Sequence, residues 1–415
     1  MSGDAPAAGA DRTGLRARTA VYAVFILNGF ALSSWIARIP SVRDALGLSQ
    51  SALGLVLLCG SIGAVAAMPV AGALVIRLGR VRTVTAGACA VTAGLLVTAL
   101  GVDGLASPVV TAAGLLLQGA GTSTWDVAMN VEGAAVERRL NRSIMSRFHA
   151  GFSLGTVLAA GLGVLLLAAG VPTWAHLAGA VALALTGALV AVRSFLPERE
   201  RPADGSAEHH PGVGLRRAWR EPRTLLIGLM VLCMAFVEGT ANDWLALGLV
   251  DGYGVSHTVG VAGFAVFVVA MTVGRVLGPL LLERFGRVAS LRGCAALAVG
   301  GVLLFVLAPS LPLAVLGAAA WGVGAALGFP LGMSAAADEE ASAAERVSVV
   351  SSVGYAAFLA GPPLVGFLAE HVGTLDALLA AAAASAVALA ISGVARPHAA
   401  GVPVGAPARS GSTPS

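Results

Sequence analysis

Twelve apolar runs recur along this 415-residue chain, each close to the ~20 residues that a helix needs to cross a bilayer. They fall near 19–37, 51–76, 82–101, 108–131, 146–169, 174–194, 224–248, 257–282, 290–308, 311–336, 347–369 and 374–395. Inside hydrocarbon every backbone N–H and C=O must find a partner within the protein, so each run is expected to be a helix. Composition fits that constraint. Hydrophobic residues make up 57% of the chain and charged ones 12%, where a soluble domain carries about 25% charged residues. The net charge of +4 gives no sign of nucleic-acid binding. The first run lacks a small-residue cleavage site followed by a soluble domain, so no cleavable signal peptide is expected.

Polar segments divide the runs. Residues 1–18 and 396–415 read as disordered tails, and 195–222 as a polar linker between a half at 19–194 and a half at 223–395. His209 and His210 lie in that linker, and no metal site is expected there. Cys59, Cys89, Cys233 and Cys294 each lie in an apolar run without ligand spacing, so neither a disulfide nor a metal centre is expected. All 26 basic residues are Arg. If the amino terminus is cytoplasmic, 23 of them fall on the cytoplasmic side, only Arg38 and Arg43 lie outside, and Arg275 is within a helix. That asymmetry predicts both termini in the cytoplasm.

The fourth run carries the densest polarity, QGAGTSTWDVAMN over residues 118–130. Asp126 and Asn130 are four apart and share a helical face. A charged group at membrane depth is expensive unless it faces a cavity or a partner. Burial disfavours the charged form of a carboxyl, so Asp126 is the leading candidate for carrying a proton. Its structural alternative is an acid that holds helices together. Glu238 and Asp243 in the seventh run are further proton-coupling candidates. So is Arg275 in the eighth, for which those two acids are the natural partners. Substrate-cavity candidates are Asn28, Trp35, Gln118, Trp125, Asn130, Asn242, Trp244, Trp321 and Tyr355, because indole faces with nearby amides suit sugars and other polar solutes. Each of these has helix packing as its plainer role. Trp174 and Trp219 read as interfacial anchors, and His149 as a helix-end contact. Gly361-Pro362-Pro363 and Gly328-Phe329-Pro330 are expected to interrupt the eleventh and tenth helices.

The halves repeat one another. Asp44, Gly47 and Ser49 match Asp251, Gly254 and Ser256 at a spacing of 207 residues. The same spacing carries Arg77-Leu78-Gly79-Arg80-Val81 onto Arg284-Phe285-Gly286-Arg287-Val288. This is a parallel repeat of two six-helix units, and transporters built this way bind substrate between the units near the midplane. The stretch from Gly72 through Arg77 and Gly79 to Arg80 resembles the Gly-x-Leu-x-Asp-Arg-x-Gly-Arg loop of the major facilitator superfamily. Its second copy ends Glu283-Arg284-Phe285-Gly286-Arg287. The first copy has Ile76 where the family has Asp; the second keeps an acid in Glu283. The resemblance implies an all-α membrane protein with 12 transmembrane helices in two six-helix halves, and gating loops at these positions. Trp125-Asp126, Met129-Asn130, Ser146-Arg147-Phe148-His149 and Ser153-Leu154-Gly155 are similar to the fucose and glucose proton-symporter branch and its bacterial inner-membrane relatives. In those symporters an acid at the Asp126 position is tied to proton and sugar handling.

Together these readings predict a secondary transporter of a small solute, proton-coupled, working by alternating access as a monomer in a bacterial cytoplasmic membrane. A sugar-like substrate follows from the resemblance. Proton-driven export of a drug or metabolite is the alternative. From another class stands a membrane sensor that no longer transports. No GxxxxGK[ST] loop is present, so ATP is not expected as a driver, and no cofactor is expected. No nucleophile–base pair or metal-ligand set marks an enzyme.

Overall fold

The computed structural model describes residues 5–142, 144–197, 216–339 and 342–396. His209, His210, most of the 195–222 linker and nearly all of the 396–415 tail lie outside the described residues. Within them the regular elements are helical. The first half contains α1 (Ala5–Ile36), α2 (Gln50–Leu78), α3 (Arg80–Ala99), α4 (Pro108–Leu140), α5 (Met145–Ala168) and α6 (Thr173–Ala191). A seven-residue helix, Ile39–Ala45, joins α1 to α2. The second half begins with α7 (Pro222–Tyr253). The stretch His257–Leu307 is bent at Gly286 into α8 (257–285) and α9 (287–307). Then come α10 (Leu311–Ala336), α11 (Ala343–Val372) and α12 (Thr374–Ala395).

Local chemistry sets where these helices start. Ser49, Ser107 and Ser256 cap α2, α4 and α8, each hydroxyl accepting a backbone N–H three residues on. Pro108 and Pro222 open α4 and α7, where a missing N–H leaves no partner wanting. Ten helical stretches are long and apolar enough to cross a membrane. The bend at Gly286 divides one of them in two. α4 matches them in length, but Gln118, Thr122, Asp126 and Asn130 lower its hydropathy. Twelve membrane passes follow.

Two expectations are corrected. The segment before residue 19 does not lack structure throughout, because α1 already runs from Ala5. Its alanines are strong helix formers and simply extend the first span. Nor does Gly361-Pro362-Pro363 interrupt its helix: α11 is continuous through both prolines. α2 lies directly against them, so that a β-carbon added at Gly54 would strike the Pro362 carbonyl. Packing by a neighbouring helix holds the path where amide donors are missing. In α10 the expected break is present, between Ala325 and Gly328.

Within the first half α4 packs on α2 and α3, and α1 on α5 and α6. Within the second, α10 packs on the α8–α9 stretch, and α7 on α11 and α12. The halves meet along two seams, α2 with α11 and α5 with α8. One face of the bundle carries the start of α1 and the end of α12 and is called the terminal face; the opposite one is the far face.

Candidate functional site

Midway along α4, Asp126 is half-buried. Asn130 lies one turn on and donates through Nδ2 to the Asp126 carbonyl at 2.9 Å and to Oδ1 at 3.3 Å. Among the described residues no cation pairs with Asp126. Tyr355 of α11 lies within its electrostatic reach. Among the described residues the carboxyl therefore has Asn130 as its side-chain hydrogen-bond donor.

A second cluster joins four helices. Arg275 of α8 donates through Nη2 to both carboxylate oxygens of Glu238 on α7, at 2.9 and 3.0 Å. Its Nη1 reaches Ser153 Oγ of α5 at 3.4 Å, and Nε reaches the Ala326 carbonyl at the break in α10 at 3.5 Å. An intramembrane Arg needs such partners, and here one of them belongs to the other half. His149 of α5 also lies within electrostatic reach of Arg275. Asn242 and Asp243 follow Glu238 along α7 and are half-buried. Among the described residues Asp243 has no hydrogen bond or ion pair.

The four tryptophan candidates are buried. Trp125, Trp244 and Trp321 are fully enclosed, and Trp35, Asn28 and Gln118 are buried. Trp321 Nε1 donates to the Val237 carbonyl at 3.2 Å, bracing α10 against the turn before Glu238. Gln118 spends its amide on Thr122 at 3.0 Å, and Asn28 donates weakly to Met129 Sδ at 3.7 Å. Periodicity could not separate a helix face turned to a cavity from one turned to another helix. The side chains left accessible are Asp126, Asn130, Glu238, Asn242, Asp243, Arg275 and Tyr355. Buried Ser153 and exposed His149 adjoin Arg275 without having been expected as site residues; both lie in the stretch 146–155 that carries the symporter resemblance.

At the terminal face the repeated loops behave alike. Gly79 and Gly286 both hold positive φ, 83° and 77°, which a side chain would strain. The arginine after each turns inward to an acid. Arg80 Nη1 meets fully buried Glu132 at 2.7 Å, and Arg287 Nη1 meets Asp338 at 2.7 Å. Each also donates to a carbonyl near the last turn of its half, Leu196 and Ala395. These pairs stay within one half. Gly72, Arg77, Glu283 and Arg284 do less: Arg77 and Glu283 are exposed and make no ion pair among the described residues, and Arg284 stacks over Phe285.

At the far face the ties run between halves. Arg43 meets Asp251 at 2.6 Å, and Asp44 meets His257 at 2.8 Å. The backbone N–H of Ser51 donates to Glu370 at 3.1 Å. The sequence points to Asp44 and Asp251 only as markers of the repeat and to Arg43 only as an outer-side arginine, and it assigns no function to His257, Ser51 or Glu370. Arg38, one turn deeper, is buried, donating to His176 Nδ1 at 2.8 Å and to the Val171 carbonyl at 2.9 Å.

Comparison with known proteins adds to this geometry. The Major Facilitator Superfamily profile matches residues 21–340. An uncharacterized MFS-type transporter of Yersinia pestis is 30% identical over 358 residues, 86% of this chain and 90% of its own length. An uncharacterized transporter of Sinorhizobium fredii is 33% identical, covering 84% and 90%. Among solved structures, a variant of the nucleoside transporter NupG superposes with a TM-score of 0.75 at 15% identity over 92% of this chain and 99% of its own. The Escherichia coli fucose:proton symporter FucP superposes at 0.64 with 16% identity, covering 91% and 98%. At such identities these structures speak for the fold alone.

Proposed function

The chain belongs to the major facilitator superfamily, and from that premise we propose that it is a proton-coupled transporter of a small, sugar-like polar solute. It works by alternating access, the two halves rocking about solute held between Asp126 and Asn130 on one side and the Glu238–Arg275 cluster on the other. The terminal face is cytoplasmic, the far face is the outer one, and the protein acts as a monomer in a bacterial cytoplasmic membrane.

One observation carries the proton part. Asp126 is a half-buried carboxyl at membrane depth, with Asn130 as its side-chain donor and no cation beside it among the described residues. Such a group is costly when charged and inexpensive when protonated. The neutral form can travel through the occluded state, and the charged form waits for a proton. Asn130, Asn242 and Tyr355 supply the hydrogen-bonding groups that a polyhydroxylated solute needs, and the resemblance of Trp125-Asp126, Met129-Asn130 and the stretch 146–155 to the fucose and glucose proton-symporter branch supports the sugar-like class.

The test is transport in proteoliposomes under an imposed proton gradient, with a panel of sugars and polyols. Wild type accumulates its solute, and Asp126→Asn, present at equal protein level, loses accumulation while keeping exchange of solute across the membrane. Undiminished pH-driven accumulation in Asp126→Asn would sink the assignment.

A further inference from the structure

The far-face contacts have an internal symmetry. At the repeat spacing of 207 residues, Asp44 corresponds to Asp251 and Gln50 to His257. In space each Asp reaches across to the other half's counterpart. Asp44 Oδ2 meets His257 Nε2 at 2.8 Å, and Gln50 Nε2 donates to Asp251 Oδ2 at 2.9 Å. Gln50 and His257 are the first residues of α2 and α8, each following a capping serine. So one contact is made twice, once in each direction across the seam between halves. We propose that these two arms form the outer gate of the transporter, and that the His257 arm makes its opening respond to the pH of the outer medium.

The arms differ in chemistry. Gln50 to Asp251 is a fixed amide–carboxylate bond, reinforced by Arg43 Nη1 at 2.6 Å and Thr374 Oγ1 at 2.7 Å. Asp44 to His257 is an ion pair only when the imidazole is protonated, and an ordinary hydrogen bond otherwise. Charge-assisted hydrogen bonds are the stronger kind. An acidic outer medium therefore holds this arm shut, and an alkaline one loosens it. The groups facing the ring are few. From the Ile39–Ala45 helix come Ser41, 3.5 Å from Nδ1, Arg43 and Asp44. From the end of α7 comes Asp251. One turn deeper, beside Val261, lie His176 of α6 and its donor Arg38. Arg43 bonds both aspartates, which links the two arms. The proposal needs only that the halves rock, whatever the solute and whether or not a proton travels with it.

The experiment measures distance between spin labels on the full chain in lipid nanodiscs. Labels go on cysteines placed at Leu105 and Ser310, exposed on far-face loops of the two halves, with Cys59, Cys89, Cys233 and Cys294 replaced by alanine. In this background, with Asp126→Asn added so that the proton site of the transport reading does not titrate, the ratio of short to long far-face distances should rise about two- to fivefold between about pH 8 and about pH 5. His257→Gln gives both arms the same chemistry, so the closed population should persist and its pH response vanish. Gln50→His, which makes the second arm titratable, should steepen the response. Asp44→Asn combined with Asp251→Asn should widen the distance at every pH. A pH response that survives His257→Gln, or a double Asn variant that stays closed, would overturn the proposal.

Discussion

Arg80 and Glu132 show how much one pair can decide in lipid. Glu132 is fully buried; its Oε2 meets Arg80 and its Oε1 accepts the Leu196 N–H at 2.8 Å, tying the α2–α3 turn, the end of α4 and the end of α6 together. Removing one partner of a buried pair leaves a stranded charge, typically worth about 3–5 kcal/mol. Arg80→Ala should therefore lower thermal stability in detergent sharply, and adding Glu132→Gln should recover much of the loss. Arg80→Lys should recover less, because an ammonium cannot serve both Glu132 and the Leu196 carbonyl as a guanidinium does. Glu221 offers a milder test at the start of α7, outside the spans. Hydrogen bonds from Arg346 and Thr224 hold its carboxyl below the usual range, against a smaller opposing effect of burial. A folded-state value below the unfolded one adds stability above the ordinary carboxylate range that disappears as pH falls through it. Glu221→Gln should therefore lower stability at neutral pH, with the loss shrinking as pH falls through the carboxylate range, so that the acid side of the stability profile flattens. Arg80 was legible from the loop motif; Arg346 was not. Nor were their acids, because a carboxylate at a helix end reads the same whether it faces water or an arginine two helices away.

Helices were legible as elements because each is long and apolar; what they touch was not. α4 announced itself by polarity, yet the sequence could not say that Asp126 and Asn130 are half-buried while Trp125 and Gln118 are buried among neighbouring helices. Nor could it show that α11 runs unbroken through Pro362 and Pro363, since that depends on α2 lying against them. At this crossing the backbones of the two halves approach closely. A β-carbon on Gly54 would meet the backbone of Pro362 and Pro363, and one on Gly366 would meet the Gln50 carbonyl and Gly54 Cα. Overpacking such a site costs about 1–3 kcal/mol, here charged to the closed far face more than to either half. Gly54→Leu should thus leave each half folded but shift the protein toward a conformation open at the far face. A cysteine introduced at half-buried Asn242, in a chain lacking the four native cysteines, would then react faster with a membrane-impermeant thiol reagent added from the far side, while unchanged labelling with unchanged stability would show that the crossing is not a pivot.

The whole molecule is tied differently on its two faces. At the terminal face the pairs Arg80–Glu132, Arg287–Asp338 and Arg223–Asp338 each close on their own half. At the far face Arg43–Asp251 and Asp44–His257 join the halves, so this conformation is held shut there. The same asymmetry bears on orientation. The sequence assigned only Arg38 and Arg43 to the far side. Both are now consumed: Arg38 is buried on His176 and the Val171 carbonyl, and Arg43 is shared between two aspartates. Arg77, Arg82, Arg138, Arg139 and Arg142 lie at the opposite ends of their helices, toward the terminal face, and are exposed. Arginines within reach of a membrane end hold that end in the cytoplasm. The terminal face should therefore be cytoplasmic. Alkaline phosphatase fused after Pro309, on the far face, should be active in cells, and the same enzyme fused after Arg396 should be inactive. A fluorescent protein fused after Arg396 should report the reciprocal pattern. Phosphatase activity at Arg396 and none at Pro309 would invert the molecule, and with it the assignment of the Asp44–His257 clasp to the outer medium.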